Sequence, residues 1–180
     1  MGNQFFEYAA IRKFAIDGNT EFKLDLKNYV NNPKEPDGPD IRLFNIIYNK
    51  ATEAECTHLQ KKDVLYYLEK LLPYYKRRFV WEKDFMFDKN LIGIQRKNMY
   101  IRGQFQSPKY FEGIEDIIRK EFTLKDRFRK TAEDMAQTIA SENNPVSVHI
   151  RRDDYLATGT AISGYTNLSL AYYQQAIIKI

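Results

Sequence analysis

The stretch His149-Ile150-Arg151-Arg152-Asp153-Asp154-Tyr155 gathers an imidazole, two guanidinium groups and two carboxylates into one short run. It closes a β-branched segment, Val146-Ser147-Val148-His149-Ile150. Alternate side chains of a strand share a face, so His149 and Arg151 are expected to point the same way. Open α/β sheets bind ligands beyond the carboxyl ends of their strands, which is where these charges fall. A guanidinium forks onto phosphate oxygens and keeps its charge at any working pH. Asp154 is placed to hold one arginine in a fixed rotamer. The chemistry this suggests is stabilisation of a phosphate leaving group, or binding of a nucleotide diphosphate. The same residues, Arg151-Arg152-Asp153-Asp154, also read as a salt-bridged surface turn.

Such residues need a frame, and the pattern predicts a mixed α/β one. Phe5, Tyr8, Ala9 and Ile11 recur at helical spacing behind Gly2-Asn3, which is placed to cap a helix. Asp17-Gly18-Asn19 is expected to stop that helix, because glycine tolerates positive φ. Phe22-Lys23-Leu24-Asp25-Leu26 alternates with period two and predicts a strand. Residues 31–40 hold three prolines and a glycine and are expected to form a loop, and residues 41–48 read as a second strand. A helix is expected over 59–72, with Val64, Leu65, Leu68, Leu71 and Leu72 on one face and Pro73 ending it. Residues 79–87 and 99–105 read as extended and aromatic. Ile114, Ile117 and Ile118 mark a helix within 107–122, and another follows over about 125–141. Glu142-Asn143-Asn144-Pro145 is the expected domain boundary. Beyond it, 146–150 reads as a buried parallel strand, 151–167 as a polar loop, and a helix starts near Ser169: one βα unit. Lys61-Lys62, Lys76-Arg77-Arg78 and residues 127–130 read as solvated faces and turns.

The chain has 180 residues, 43% of them hydrophobic and 29% charged, enough apolar surface for a core and unlike a disordered or collagenous chain. The net charge of +4 suits a phosphate-bearing ligand but is too weak for nucleic acid, and acidic residues interrupt the basic clusters. No apolar run is long enough to span a membrane, and Arg12, Lys13 and Asp17 break the first apolar stretch, unlike a secretory signal. The single cysteine, Cys56, cannot form an internal disulfide, which fits a reducing compartment or simple indifference to redox conditions. His58 beside it reads as an ordinary surface residue, since two residues make no metal site.

Three motifs in order resemble one family. His149-Ile150-Arg151-Arg152-Asp153-Asp154-Tyr155 resembles the His-x-Arg-Arg-Gly-Asp-Tyr motif of the α1,2-fucosyltransferases, glycosyltransferase family 11. Gly2-Asn3-Gln4-Phe5-Phe6-Glu7-Tyr8-Ala9 resembles that family's opening Gly-Leu-Gly-Asn-Gln-hydrophobic-Phe-Gln-Tyr-Ala, with Met1 at the Leu position. The run from Tyr100 through Gln104-Phe105-Gln106-Ser107 to Phe111 is similar to its Tyr-Leu-x-Gly-Tyr-Trp-Gln-Ser-x-Lys-Tyr-Phe signature. The tail from Leu170 to Ile177 is similar to the segment after the arginine motif. Asp153 stands where the family has glycine, and Gln104-Phe105 where it has Tyr-Trp.

The resemblance implies a GT-B-like α/β architecture: an N-terminal, acceptor-side domain over 1–144 lacking its first strand, and over 145–180 the start of an incomplete Rossmann-like domain for the GDP-sugar. It implies inverting transfer of L-fucose from GDP-β-L-fucose to the 2-hydroxyl of a terminal galactose, without a metal or other cofactor. Arg151 would sit on the diphosphate; Arg152 and Asp154 would order the loop or reach the donor. His149 would position the arginine or contact the donor, and as a neutral imidazole it is one candidate for the acceptor's base. Gly2 and Asn3, in the glycine turn, would lie near the diphosphate or the acceptor. The chain is expected to be cut at both ends, and 180 residues alone to transfer little. The implied partners are GDP-fucose and a galactose-terminated glycan, in the cytoplasm, with room for peripheral membrane contact. A rival class is a non-catalytic carbohydrate- or phosphate-binding domain whose aromatics around Tyr66-Tyr67 and Tyr74-Tyr75 stack on sugar rings. The plainer account of those tyrosines is packing.

Overall fold

The computed structural model describes residues 2–29, 38–82, 84, 86–94, 96–150 and 168–179. They fall into two compact units, Met1–Ala132 and Glu133–Ile180.

The first unit is built around one helix, α1 (Gly2–Asp17). It buries Gln4, Tyr8, Ala9, Ala10, Phe14 and Ala15, so it is covered on more than one side. Tyr8 and Ala9 join Ile41, Ile46, Ile114 and Ile118 in one core cluster. Ala10 and Phe14 join Val80, Leu91, Phe105 and Tyr110 in a second. Gly2-Asn3 does not precede the helix as a cap; both residues lie in its first turn. The helix stops as expected at Asp17, but Asn19 takes the left-handed conformation (φ 45°), not Gly18. The Thr20 N–H donates to the Ala15 carbonyl and the Asn19 N–H to that of Ile16, which satisfies the orphan carbonyls of the last turn.

Two small parallel sheets follow α1 in the sequence. β1 (Lys23–Leu24) pairs with β2 (Asn49–Lys50). The strand expected over 41–48 is not formed: Asp40–Leu43 is a 3-10 turn, and Phe44 makes only an isolated bridge to Leu124. The physical reason is that α1 meets this backbone with side chains. The Ile41 N–H donates to Gln4 Oε1 (3.2 Å) and the Ile47 N–H to the Tyr8 hydroxyl (3.1 Å), so a strand partner is not required.

The helix expected over 59–72 is two helices, α2 (Glu53–Gln60) and α3 (Val64–Glu69). Thr52 and Glu55 form a reciprocal capping box at the start of α2, and the Asp63 carboxylate caps α3 through the Tyr66 N–H. The face of Val64, Leu65, Leu68, Leu71 and Leu72 is exposed. Arg78, expected in a solvated turn, is instead buried: it pairs with Asp63, lies 3.8 Å from Glu69, and donates to the Lys61 carbonyl.

β3 (Phe79–Trp81) and β4 (Tyr100–Arg102) pair in parallel with Phe79, Val80 and Trp81 opposite Tyr100, Ile101 and Arg102. A 3-10 turn at Pro108–Phe111 leads to α4 (Glu115–Glu121), which buries Ile118 beside its flanking Ile114, while Ile117 stays exposed. α5 (Asp126–Ser141) follows, close to its expected bounds.

In the second unit, α6 (Leu170–Ile178) starts behind Ser169, whose hydroxyl accepts from the Tyr172 N–H as expected. The strand expected over 146–150 is not formed, and these residues are exposed. A strand buried on both faces needs paired neighbours, and none pairs with it among the described residues. No helix among the described residues is long and apolar enough to cross a membrane.

Candidate functional site

The first turn of α1 and the loop leaving β4 meet. Gln106 Nε2 donates to Asn3 Oδ1 (2.7 Å), and Asn3 Nδ2 donates to Gln104 Oε1 (3.4 Å). Asn3 and Gln106 are both exposed.

That loop is held from beneath by Glu82, the residue after β3. Its buried carboxylate Oε2 accepts from the backbone N–H groups of Gln104 and Phe105, both at 2.8 Å. A Cβ on Gly103 would stand 2.6 Å from Glu82 Cβ and 2.8 Å from Phe105 Cζ, so the turn over Glu82 admits only glycine there. Phe105 takes φ 48° and turns its ring into the core, edge-on to Phe14 (5.9 Å) and Tyr110 (5.3 Å). The Tyr110 hydroxyl accepts from the Asp88 N–H at 2.8 Å. Burial, with Glu82 and Asp88 nearby, pushes its pKa up to about 12, so it stays protonated.

α1 is fixed at its middle to α4. Tyr8 donates to Glu121 Oε2 (2.7 Å), and Arg12 forks onto Glu121 through Nε and Nη2 (3.1 and 2.9 Å to Oε1). Burial raises the Tyr8 pKa well above the usual phenol value. One helical turn after Asn3, Glu7 is partly buried, and desolvation pushes its carboxyl up to about 6. Sequence reasoning passed over Glu7 and Glu82. A lone carboxylate within the apolar run of residues 5–11 was the available signal for the first, and nothing local marked the second.

A profile of Glycosyl transferase family 11 matches residues 74–180, more than half of the chain. The chain belongs to glycosyl transferase family 11. It is 26% identical over 179 residues to an alpha-1,2-colitosyltransferase of Escherichia coli, an alignment covering 98% of this chain and 60% of that protein. It is 24% identical over 201 residues to the O-antigen biosynthesis glycosyltransferase WbnK of Escherichia coli, covering 98% and 64%. The chain thus spans less than two thirds of the length of these curated relatives. No solved structure matches it.

The chain carries mixed α/β structure with small parallel sheets, compatible with a glycosyltransferase fold. Of the residues singled out by sequence, Gly2 opens α1, exposed, and a Cβ built on it meets nothing within 4 Å. Asn3 is joined to the second motif as described. His149 is exposed in the second unit, outside any helix or strand. Arg151, Arg152 and Asp154 lie outside the described residues. Among the described residues, no group of three or more His, Cys, Asp or Glu side chains is placed to hold a metal ion.

Proposed function

We propose that this family 11 chain belongs to a galactoside α1,2-fucosyltransferase, an enzyme that carries out inverting transfer of L-fucose from GDP-β-L-fucose to the 2-hydroxyl of a galactose in a glycan. Residues 1–144 form the acceptor-side domain and residues 145–180 the start of the donor domain of a GT-B enzyme. The observation that carries the reading is the hydrogen bonding of Asn3 to Gln104 and Gln106, which unites two of the three ordered motifs at one exposed place.

In the proposed reaction the bond from the anomeric carbon to the diphosphate oxygen breaks as the acceptor 2-hydroxyl oxygen attacks from the opposite face. The Arg151 guanidinium meets the charge growing on the departing diphosphate. Arg152 and Asp154 order the loop or reach the donor. His149 positions the arginine or takes the acceptor's proton. Gly2 and Asn3 border the acceptor or the diphosphate. No metal or other cofactor is required, and the enzyme works in the cytoplasm, with room for peripheral membrane contact.

A radiolabel assay on a protein extended to the length of the curated relatives tests the proposal: fucose is transferred from GDP-fucose to a galactoside, Arg151→Ala nearly abolishes turnover, and the 180-residue chain alone transfers little. A normal rate in that variant removes Arg151 from its role. The name of one relative, an alpha-1,2-colitosyltransferase, favours a second reading in which the same linkage is made with colitose. Competition between fucosyl and colitosyl donors separates the two.

A further inference from the structure

A cleft of about 360 Å³ opens along the outer face of β3, walled by Tyr66, Tyr74, Phe79 and Trp81, with Lys70 and Arg77 on its rim. Glu69 also lines it, but its buried carboxylate is engaged by Arg96 and by the backbone N–H of Arg78. The lining therefore consists of ring faces and charged groups, with no aliphatic side chain, although α3 carries several exposed ones elsewhere on its surface. The rings are held in place. Phe79 stacks on Tyr100 (5.6 Å, 17° between planes), and the Arg102 guanidinium lies 5.2 Å from the Trp81 ring centre. Tyr66 stands edge-on to Tyr67, with Lys70 Nζ 5.3 Å from its ring. Trp81 nonetheless keeps 58% of its surface exposed.

Such a site suits a ligand that is apolar on its ring faces and hydroxylated at its edge. A pyranose answers that description; an aliphatic peptide side chain answers only half of it. The strand paired with β3 also leads to the motif cluster. Trp81 and Arg102 are the last register pair of β3 and β4, and Gln104, bonded to Asn3, follows Arg102 by two residues. Two residues span at most about 7 Å, so one oligosaccharide can engage both places.

We propose that this cleft is an acceptor subsite, holding a neutral pyranose ring next to the sugar that receives the transferred residue. The proposal rests on the glycosyltransferase reading for the word acceptor, and its test separates the two. Trp81 is the single tryptophan of the sequence, so its emission reports this cleft alone. Lactose and N-acetyllactosamine, titrated into the 180-residue chain, are expected to change that emission saturably, whereas GDP-fucose is not. Tyr66→Ala is expected to weaken the response about tenfold or more, Tyr66→Phe to keep it, with circular dichroism showing each variant folded. Saturation-transfer NMR on the disaccharide gives a second readout through its ring protons. Emission unchanged by either disaccharide, or a Tyr66→Ala chain that responds like its parent, overturns the subsite. Disaccharide binding in a protein extended to the length of the curated relatives that transfers no sugar leaves the subsite standing and sinks the fucosyl reading. Transfer whose acceptor KM ignores Tyr66→Ala does the reverse.

Discussion

Gln106 donates its side-chain amide to Asn3 Oδ1 at 2.7 Å, across 103 positions of sequence. The bond joins the first turn of α1 to the loop after β4, and so joins two motifs that the sequence separates widely. It also fixes how each amide is presented, since Asn3 gives an N–H toward Gln104 while its oxygen is occupied by Gln106.

The Asn3–Gln106 pair is exposed, so its energetic weight should be modest. A double-mutant cycle of Asn3→Ala and Gln106→Ala, read by urea denaturation, is expected to give a coupling of about 0.5–1 kcal/mol. Each single variant should stay folded. In a transfer assay, both should raise acceptor KM more than they lower kcat. A coupling indistinguishable from zero means that the two motifs merely lie close.

Glu82 carries more. It is buried and accepts two backbone N–H groups from the loop that presents Gln104. Glu82→Ala leaves both donors unpaired and is expected to cost about 2–4 kcal/mol. Gly103→Ala, which drives a Cβ into Glu82 and Phe105, is expected to cost about 1–3 kcal/mol. Both should detach the loop from Asn3, seen as faster amide exchange at residues 104–106. A Gly103→Ala chain with unchanged melting would show that the loop yields easily.

What the sequence made legible is what local periodicity and capping control. α1, α5, the Ser169 cap of α6 and the extended character of β3 and β4 all follow from spacing visible within one element. The stretch over 41–48 was not legible, because its backbone is satisfied by Gln4 and Tyr8, side chains some forty residues away. The break between α2 and α3 was written in Thr52 and Asp63, yet the run of leucines outweighed it. Arg78 looked solvated because Asp63 and Glu69, which pair with it in the interior, are distant in sequence. Asn3 was found through its motif. Glu82 acts only through the β3–β4 register, which no local pattern encodes.

The Tyr8–Arg12–Glu121 network should govern how firmly α1, and Asn3 with it, is held. Glu121 is largely buried while Arg12 keeps a quarter of its side chain in solvent. Arg12→Ala strands the carboxylate with only the Tyr8 hydroxyl and is expected to cost about 2–3 kcal/mol. Tyr8→Phe removes one charge-assisted bond and leaves the Ile47 N–H unpaired, costing about 1–3 kcal/mol. The two losses should be non-additive in denaturant melts, because both variants act on one acceptor. Additive losses would mean that the network is two separate bonds.

Glu7 offers a test that depends on pH. Burial raises its carboxyl from 4.5 to about 6, so the fold favours the protonated form and folding takes up a proton between those values. Its stabilising contribution is complete below about pH 4.5 and is lost as pH rises through about 6, where the charge must form in a partly desolvated place. Glu7→Gln keeps the shape without the charge, and glutamine is what the resembling motif carries at that position. The variant is expected to match the parent's melting temperature near pH 4.5 and to exceed it above pH 6. Melting curves of both proteins across that window decide the matter. A gain from Glu7→Gln that is the same at both ends would show that the carboxylate feels solvent, and would remove Glu7 as a titrating group beside Asn3.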